Sequence, residues 1–296
     1  MPISKKKQNV KIEYVSPFKR VTVKVLELLQ DGKIFYNDEY LDPDNAIRPR
    51  NISTEKEYSG SNVVSLWMAN FGSPYWGTFK QYKEMGIKIK KGEHSKAGII
   101  YFQKKEEEDG EEYDDEIPGF LIKHHPMFNS EQTDSAKYFK KPRLPKGEIH
   151  KKIEKYSEKF LEIDPNLDAA YYYPAVDKIF MLPKTSFIAI DSYYSILFHE
   201  LVHWSGGSKR LDRKKIYNDT INKGKENKDY AYEELIAEMG SAFITADLGI
   251  PMYKQNAGYL KGYLNVLKND EKAFFRAGKE AEKAVKYLYE KIGIGK

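Results

Sequence analysis

His199-Glu200-Leu201-Val202-His203 sets two imidazoles four residues apart. On an α-helix that spacing brings them to one face, where both can close on a single zinc ion. Glu200, between them, then sits beside the open coordination position and can take a proton from a bound water. That is the chemistry of a metal-dependent hydrolase. The flanking pattern predicts a helix over Asp191–Gly206, with Asp191 as a candidate N-cap, Ile196, Leu197, Leu201 and Val202 as an apolar stripe, and Gly206-Gly207 as its stop.

A catalytic zinc ordinarily takes a third protein ligand. In one extended pattern a glycine three residues after the second histidine is followed, three later, by another histidine; Gly206 fits, but Lys209 occupies the ligand position. The remaining option is a carboxylate from a following helix. Asp229–Leu248 supplies one: Asp229 reads as N-cap, Leu235, Met239, Ala242 and Phe243 as the buried stripe, and Gly249-Ile250-Pro251 as the stop. Its candidate ligand is Glu234. Glu238 stands one turn further on the same face and is expected to orient a ligand histidine from behind, whereas Glu233 is expected to point elsewhere.

These helices need a scaffold, and 296 residues suggest two domains, each burying its own core. The boundaries expected are 1–134, a linker over 135–147, and 148–296. The linker signal is Lys140-Lys141-Pro142-Arg143-Leu144-Pro145-Lys146-Gly147, whose proline and charge content suits a tether. The absence of cysteine excludes disulfides and thiolate metal sites. With a polar start that lacks an apolar h-region and no run of membrane-spanning length, the expectation is a soluble, cytoplasmic protein.

The net charge of +5 is unevenly distributed: residues 1–105 carry 19 Lys/Arg against 11 Asp/Glu, and Glu106–Glu116 holds nine carboxylates, read as a solvated loop. A basic amino-terminal third suggests phosphate contacts. Its elements are a helix from Pro17 to Gln30 with Val21, Val25, Leu28 and Leu29 inward, a second over Ser61–Ala69, and a third over Thr78–Met85 opened by a Thr78/Gln81 capping box. Ile87–Lys90 and Ala97–Phe102 read as a β-hairpin about Lys91-Gly92-Glu93, to which Phe120–Ile122 and Met127–Phe128 can add.

Aromatic rings interleaved with lysines are what single-stranded DNA binding uses, rings stacking on bases while ammonium groups follow the phosphates. The candidates are Tyr58, Asn62, Trp76, Lys80, Gln81, Lys90 and Lys91. Trp67 and Phe79 read as core residues, Trp76 also as a possible staple before the helix cap, and His94, His124, His125 and His150 as structural. In the carboxy-terminal half, Glu148–Ile163 reads as one amphipathic helix through Ile153, Tyr156 and Phe160. Ala169–Tyr173 and Lys178–Leu182 form a second hairpin, whose edge could hold an extended peptide across the metal. Asn256–Leu267 and Asp270–Lys291 close the chain as helices.

Arg48-Pro49-Arg50-Asn51, Tyr58-Ser59-Gly60-Ser61-Asn62, Trp67-Met68-Ala69, Trp76-Gly77-Thr78-Phe79-Lys80-Gln81 and Lys91-Gly92-Glu93 together resemble the N-terminal domain of ArdC-type antirestriction proteins. Met181-Leu182-Pro183, His199 to Gly206, Arg210-Leu211-Asp212-Arg213 and Glu233-Glu234-Leu235-Ile236-Ala237-Glu238 resemble that family's zincin-like domain. The chain departs from the family's usual pattern at Ile52, at His124-His125 and in the acidic run 106–116. The resemblance implies an α+β protein of two domains, a single-stranded DNA-binding domain and a gluzincin-like metallopeptidase domain. It implies a mobile-element protein, of plasmid or phage, that protects incoming DNA from host restriction, with zinc or manganese as its metal. His199, His203 and Glu234 would be the ligands, Glu200 the general base and Glu238 the supporting carboxylate. Two other readings stay open: an active peptidase that cleaves a host protein, and a single-stranded DNA-binding accessory of a plasmid primase system.

Overall fold

In the computed structural model the described residues are 15–31, 47–104, 120–135, 148–213, 228–250 and 260–294. Residues 136–147 of the expected tether over 135–147, and the acidic run 106–116, lie outside them. Helix α1 (Pro17–Gln30) starts where Ser16 Oγ accepts the Lys19 amide at 3.0 Å and Pro17 presets the first turn. Its buried stripe is Val21, Val25 and Leu29, spaced four apart. Helix α2 (Ser61–Trp67) is almost wholly buried. Helix α3 (Phe79–Glu84) has the expected reciprocal capping box, with the Gln81 amide donating to Thr78 Oγ1 and the Thr78 amide to Gln81 Oε1.

Four strands form the first sheet, β1 (Arg50–Asn51), β2 (Tyr75–Gly77), β3 (Ala97–Lys104) and β4 (Phe120–Asn129), in the order β1-β2-β4-β3. The expected hairpin is corrected here. Residues 87–90 make only an isolated bridge, Ile89 to Thr133, and β3 pairs instead with β4 in antiparallel register from Ala97–Met127 to Lys104–Phe120. Eight paired residues outweigh the local turn chemistry of Lys91-Gly92-Glu93. Phe79, expected in the core, is 59% exposed, because the first helical position after the cap faces out.

Helix α4 (Glu148–Ser157) is shorter than expected. Ser157 Oγ donates to the carbonyls of Ile153 and Glu154, closing the last turn. The chain then runs into β5 (Leu161–Ile163), drawn off the helix by parallel pairing with β7 (Lys178–Met181). Strand β6 (Tyr171–Tyr173) pairs antiparallel on the other side, giving the order β5-β7-β6 with β6 at an edge. Helices α5 (Ile190–Ser205), α6 (Lys228–Leu248), α7 (Leu260–Asn269) and α8 (Ala273–Ile292) complete the described chain. None is long and apolar enough to cross a membrane.

The amino-terminal helices do not keep a core of their own. Val21, Val25, Leu29, Val63, Val64 and Trp67 belong to the same buried cluster as Phe198, Phe243, Phe274 and Leu288, and the Trp67 and Phe243 rings lie 6.1 Å apart. Among the described residues, Leu66, Trp76, Ala97 and Met127 form a separate small cluster under the first sheet. Gly278 makes the junction possible: a Cβ there would stand 2.4 Å from the Ser61 amide, so only glycine lets α8 meet the start of α2. Arg48, 1% exposed, crosses the same seam, with Nε 2.7 Å from Asp247 of α6 and Nη1 2.9 Å from both oxygens of Glu282 of α8.

Candidate metal centre

The metal helix, α5, begins at Ile190 rather than at an Asp191 cap, and Asp191 lies in its first turn, where a carboxylate suits the helix dipole. Its C-terminal half packs on α6. Gly240 of α6 permits this, because a Cβ there would stand 2.7 Å from the Val202 side chain, and Ser241 Oγ donates to the Ser195 carbonyl at 3.0 Å. This contact carries Glu234 to the histidine face.

His199 Nε2 and His203 Nε2 lie 3.0 Å apart, and Glu234 reaches them with one oxygen each, at 3.4 Å and 3.6 Å. The three ligand atoms lie within 4.8 Å of one another and all three residues are largely buried. Two neutral imidazole lone pairs facing each other at this distance repel unless a proton or a cation stands between them. The donor set, two imidazoles and one carboxylate around a common point, fits a divalent metal ion.

The protonation states show the same pull. Burial opposes charge on His199, but the Glu234 hydrogen bond and the charges of Glu238, Glu234 and Glu200 raise its pKa to about 10. Burial likewise works against the Glu234 carboxylate, and His203 and His199 nevertheless hold its pKa at about 2, aided by a Tyr230 hydrogen bond. Glu200, 4% exposed, is raised above the usual carboxylate range by burial, which outweighs His199, His203 and the Tyr172 backbone N–H that donates to it. A carboxylate so placed is held ready to accept a proton.

Glu233, expected to point away, does not. Its carboxylate lies 3.1 Å from His203 Nδ1 and receives two bonds from Arg213, at 2.7 Å and 3.0 Å. Arg213 also donates to the Val202 carbonyl at 2.6 Å, so this pair grips the second histidine from behind. With Nδ1–H donating to Glu233, His203 Nε2 keeps a bare lone pair toward the site. Glu238, expected to orient a histidine, is buried and its charge bears on His199, whose Nδ1 is buried with no hydrogen-bond partner. Sequence spacing missed Glu233 and Arg213; the only signal was that both stand in motifs of charged residues beside the ligands.

A second network aims the edge strand. Arg210 lies over the Trp204 ring at 3.8 Å and donates to Asp177 at 2.9 Å and to the Tyr172 hydroxyl at 3.1 Å. It thereby ties the end of α5 to the β6–β7 turn, where Asp177 adopts a φ of 55°. The Tyr172 N–H consequently points at Glu200.

The DNA-contact candidates are not gathered on one surface. Trp76 is 2% exposed and packs edge-on against Phe71, the staple reading rather than the stacking one. Asn62 is spent on the main chain of β3, its amide bonding both the N–H and the carbonyl of Ile100 at 2.9 Å. Tyr58 is half-buried, with its hydroxyl accepting from Asn51 at 3.0 Å, and Gln81 serves the α3 cap. Lys80 is exposed beside Glu84, Lys90 reaches the Glu131 carbonyl at 2.8 Å, and Lys91 is exposed.

Residues 16–134 match the family model for the N-terminal domain of anti-restriction factor ArdC, and residues 152–280 match that for a zincin-like metallopeptidase. The chain is 27% identical over 287 residues to the uncharacterized protein y4eC of Sinorhizobium fredii, covering 92% of this chain and 91% of that one. It is 30% identical over 303 residues to a DNA primase TraC of Escherichia coli, covering 94% of this chain and 20% of the primase, so it spans about a fifth of that protein's length. Crystal structures of the antirestriction protein ArdC from the R388 plasmid superpose with TM-scores of 0.72 for the metal-free form and 0.74 for the Mn(II)-bound form. Their identities to this chain are 28% and 29%, over 94% and 95% of it and 98% and 100% of those chains.

Proposed function

Since the chain has the two-domain ArdC fold, an ArdC-type N-terminal domain joined to a zincin-like metallopeptidase domain, we propose that it is an antirestriction protein that binds single-stranded DNA and protects incoming DNA from host restriction. The observation that carries this reading is the pairing of those two domains in one chain with a complete His199–His203–Glu234 cluster. In it, His199, His203 and Glu234 hold a divalent ion, zinc or manganese, with Glu233 and Arg213 fixing the His203 ring.

The metal, when bound, supplies a Lewis acid and lowers the pKa of a water. Glu200, whose raised pKa disposes it to take up a proton, would serve as the general base at the cluster. The placement of Tyr172 beside Glu200 favours a second reading, in which β6 aligns an extended peptide of a host protein for cleavage.

One substitution separates the two. Glu200→Gln keeps the metal ligands and removes the base. If protection of incoming DNA in cells survives it unchanged, DNA binding is the mechanism; if protection falls with metal content intact, hydrolysis is. We expect survival. Loss of protection in Glu200→Gln at full metal occupancy overturns that expectation.

A further inference from the structure

A groove of about 760 Å³ opens at the seam between the amino-terminal region and α8, lined by no residue of the His199–His203–Glu234 cluster. One wall is a file of cations, Lys272, Arg276, Lys279, Lys283 and Lys286. Their spacing of four, three, four and three residues sets them along one face of α8, over about 21 Å at the helical rise of ~1.5 Å per residue. The facing wall is the start of α2 and the open edge of β3, where Phe102 is 43% exposed. Phe18 and Phe275 form an edge-to-face pair at 4.8 Å in the floor.

We propose that this groove is the single-stranded DNA site of the protein, with phosphates running along α8 and bases turned toward Phe102 and Phe275. The proposal rests on the DNA-binding reading above and gives that reading a place. Three observations favour this occupant over other anions. Among the described residues the only acidic side chain lining the groove, Glu282, is committed to Arg48 at 2.9 Å and to the Gly60 amide at 3.2 Å, so it does not cancel the file of cations. Arg276 pairs with Asp270, Lys283 with Glu280 at 2.7 Å and Lys286 with Glu290 at 3.9 Å, and such exposed pairs are worth only about 0–1 kcal/mol, so a polyanion displaces them readily. Rings stand opposite the cations, and that arrangement serves a strand whose bases are free to stack rather than a phosphate alone or a duplex.

The consequence is specific to this architecture. Both halves of the chain build the groove, and the file that follows the phosphates lies beyond residue 134.

The test uses the full-length protein and a fluorescein-labelled oligo(dT) 20-mer, read by polarisation across a salt series. Lys279, Lys283 and Lys286 are all exposed, so Lys279→Ala/Lys283→Ala/Lys286→Ala leaves the fold alone. It should weaken binding at least tenfold and reduce the log-log salt slope by about 2, at ~0.7 per phosphate contact on a single strand. Phe102→Ala should cost about five- to a hundredfold in affinity while leaving the slope unchanged. Lys80→Ala/Lys90→Ala/Lys91→Ala removes the same charge elsewhere and should keep the wild-type slope. Wild-type binding with an unchanged slope in the α8 triple variant, or an equal loss in both triple variants, overturns the groove and leaves the DNA-binding reading standing. A wild-type protein that does not bind oligo(dT) overturns both.

Discussion

Replacing Arg48 by alanine should be among the most damaging single changes in the molecule, although Arg48 is no part of the metal cluster. Its guanidinium is buried between Asp247, 2.7 Å from Nε, and Glu282, 2.9 Å from Nη1, and lies over the Phe243 ring at 4.7 Å. Removing the cation takes from Asp247, 8% exposed, its buried counter-charge and leaves the Tyr289 hydroxyl at 2.9 Å among its partners, while Glu282, 31% exposed, can turn to water. Stranding one buried carboxylate in this way costs about 3–5 kcal/mol. For a protein of this size that is a fall in melting temperature of roughly 6–20 °C, at about 2–4 °C per kcal/mol. Urea and thermal melts of the metal-free protein measure it. Arg48→Met combined with Asp247→Asn and Glu282→Gln should recover most of the loss, since no buried charge then lacks a partner. The metal affinity of Arg48→Ala should stay within about twofold, because sites more than ~10 Å apart without shared partners behave additively. A cost below about 1 kcal/mol, or a triple variant no more stable than Arg48→Ala, would refute the argument that this seam is held by charge.

Three further outcomes concern the metal. His199→Ala, His203→Ala and Glu234→Ala should each abolish binding of one equivalent of zinc or manganese, read by elemental analysis after dialysis. Glu233→Ala should retain the site but weaken metal affinity by about ten- to a hundredfold, through a misaligned His203 ring; Glu233→Gln, which can still accept from Nδ1, should lose less, and equal losses in the two variants would count against an orienting role. Because Glu234 and its acidic neighbours raise His199 to about 10, the imidazole holds a proton at pH 7 that a metal must displace. Titration calorimetry in buffers of different ionisation enthalpy should therefore show about one proton released, with affinity rising as pH climbs from 6 toward 9, and a buffer-independent enthalpy would contradict the pKa assignment.

The metal helix was legible because helical period alone decides that residues four apart share a face, and His199 and His203 need nothing more. Glu234 followed from the same arithmetic on α6. What the arithmetic omits is how α6 lies across α5. Period on α6 groups Glu234 with Glu238 and turns Glu233 away, but His203 presents its Nδ1 edge to the flank of α6 rather than to its crest, and Glu233 is the carboxylate there. Strand pairing failed for a related reason. Lys91-Gly92-Glu93 has the composition of a turn, yet β3 gains eight partners from β4 across an interval of the chain that no local signal bridges. The file of lysines on α8 was present in the sequence as ordinary solvated positions; only the approach of Phe102 from β3 makes a groove of it.

Two domains were expected to bury two cores, and amphipathic periodicity could not have said otherwise, since Val21, Val25 and Leu29 define an inward face without naming its partner. The structure gives that partner in α7, and gives α6 a double task. Glu233 and Glu234 stand near its start and Asp247 near its end, about 20 Å apart at ~1.5 Å per residue. One end completes the metal cluster; the other anchors Arg48 and with it the amino-terminal region. A rigid helix of this length fixes the distance between metal and seam, so the groove beside α8 and the cluster on α5 keep one geometry in the folded chain. A strand bound in the proposed groove would then lie at a set distance from the metal cluster, with the length of α6 between them.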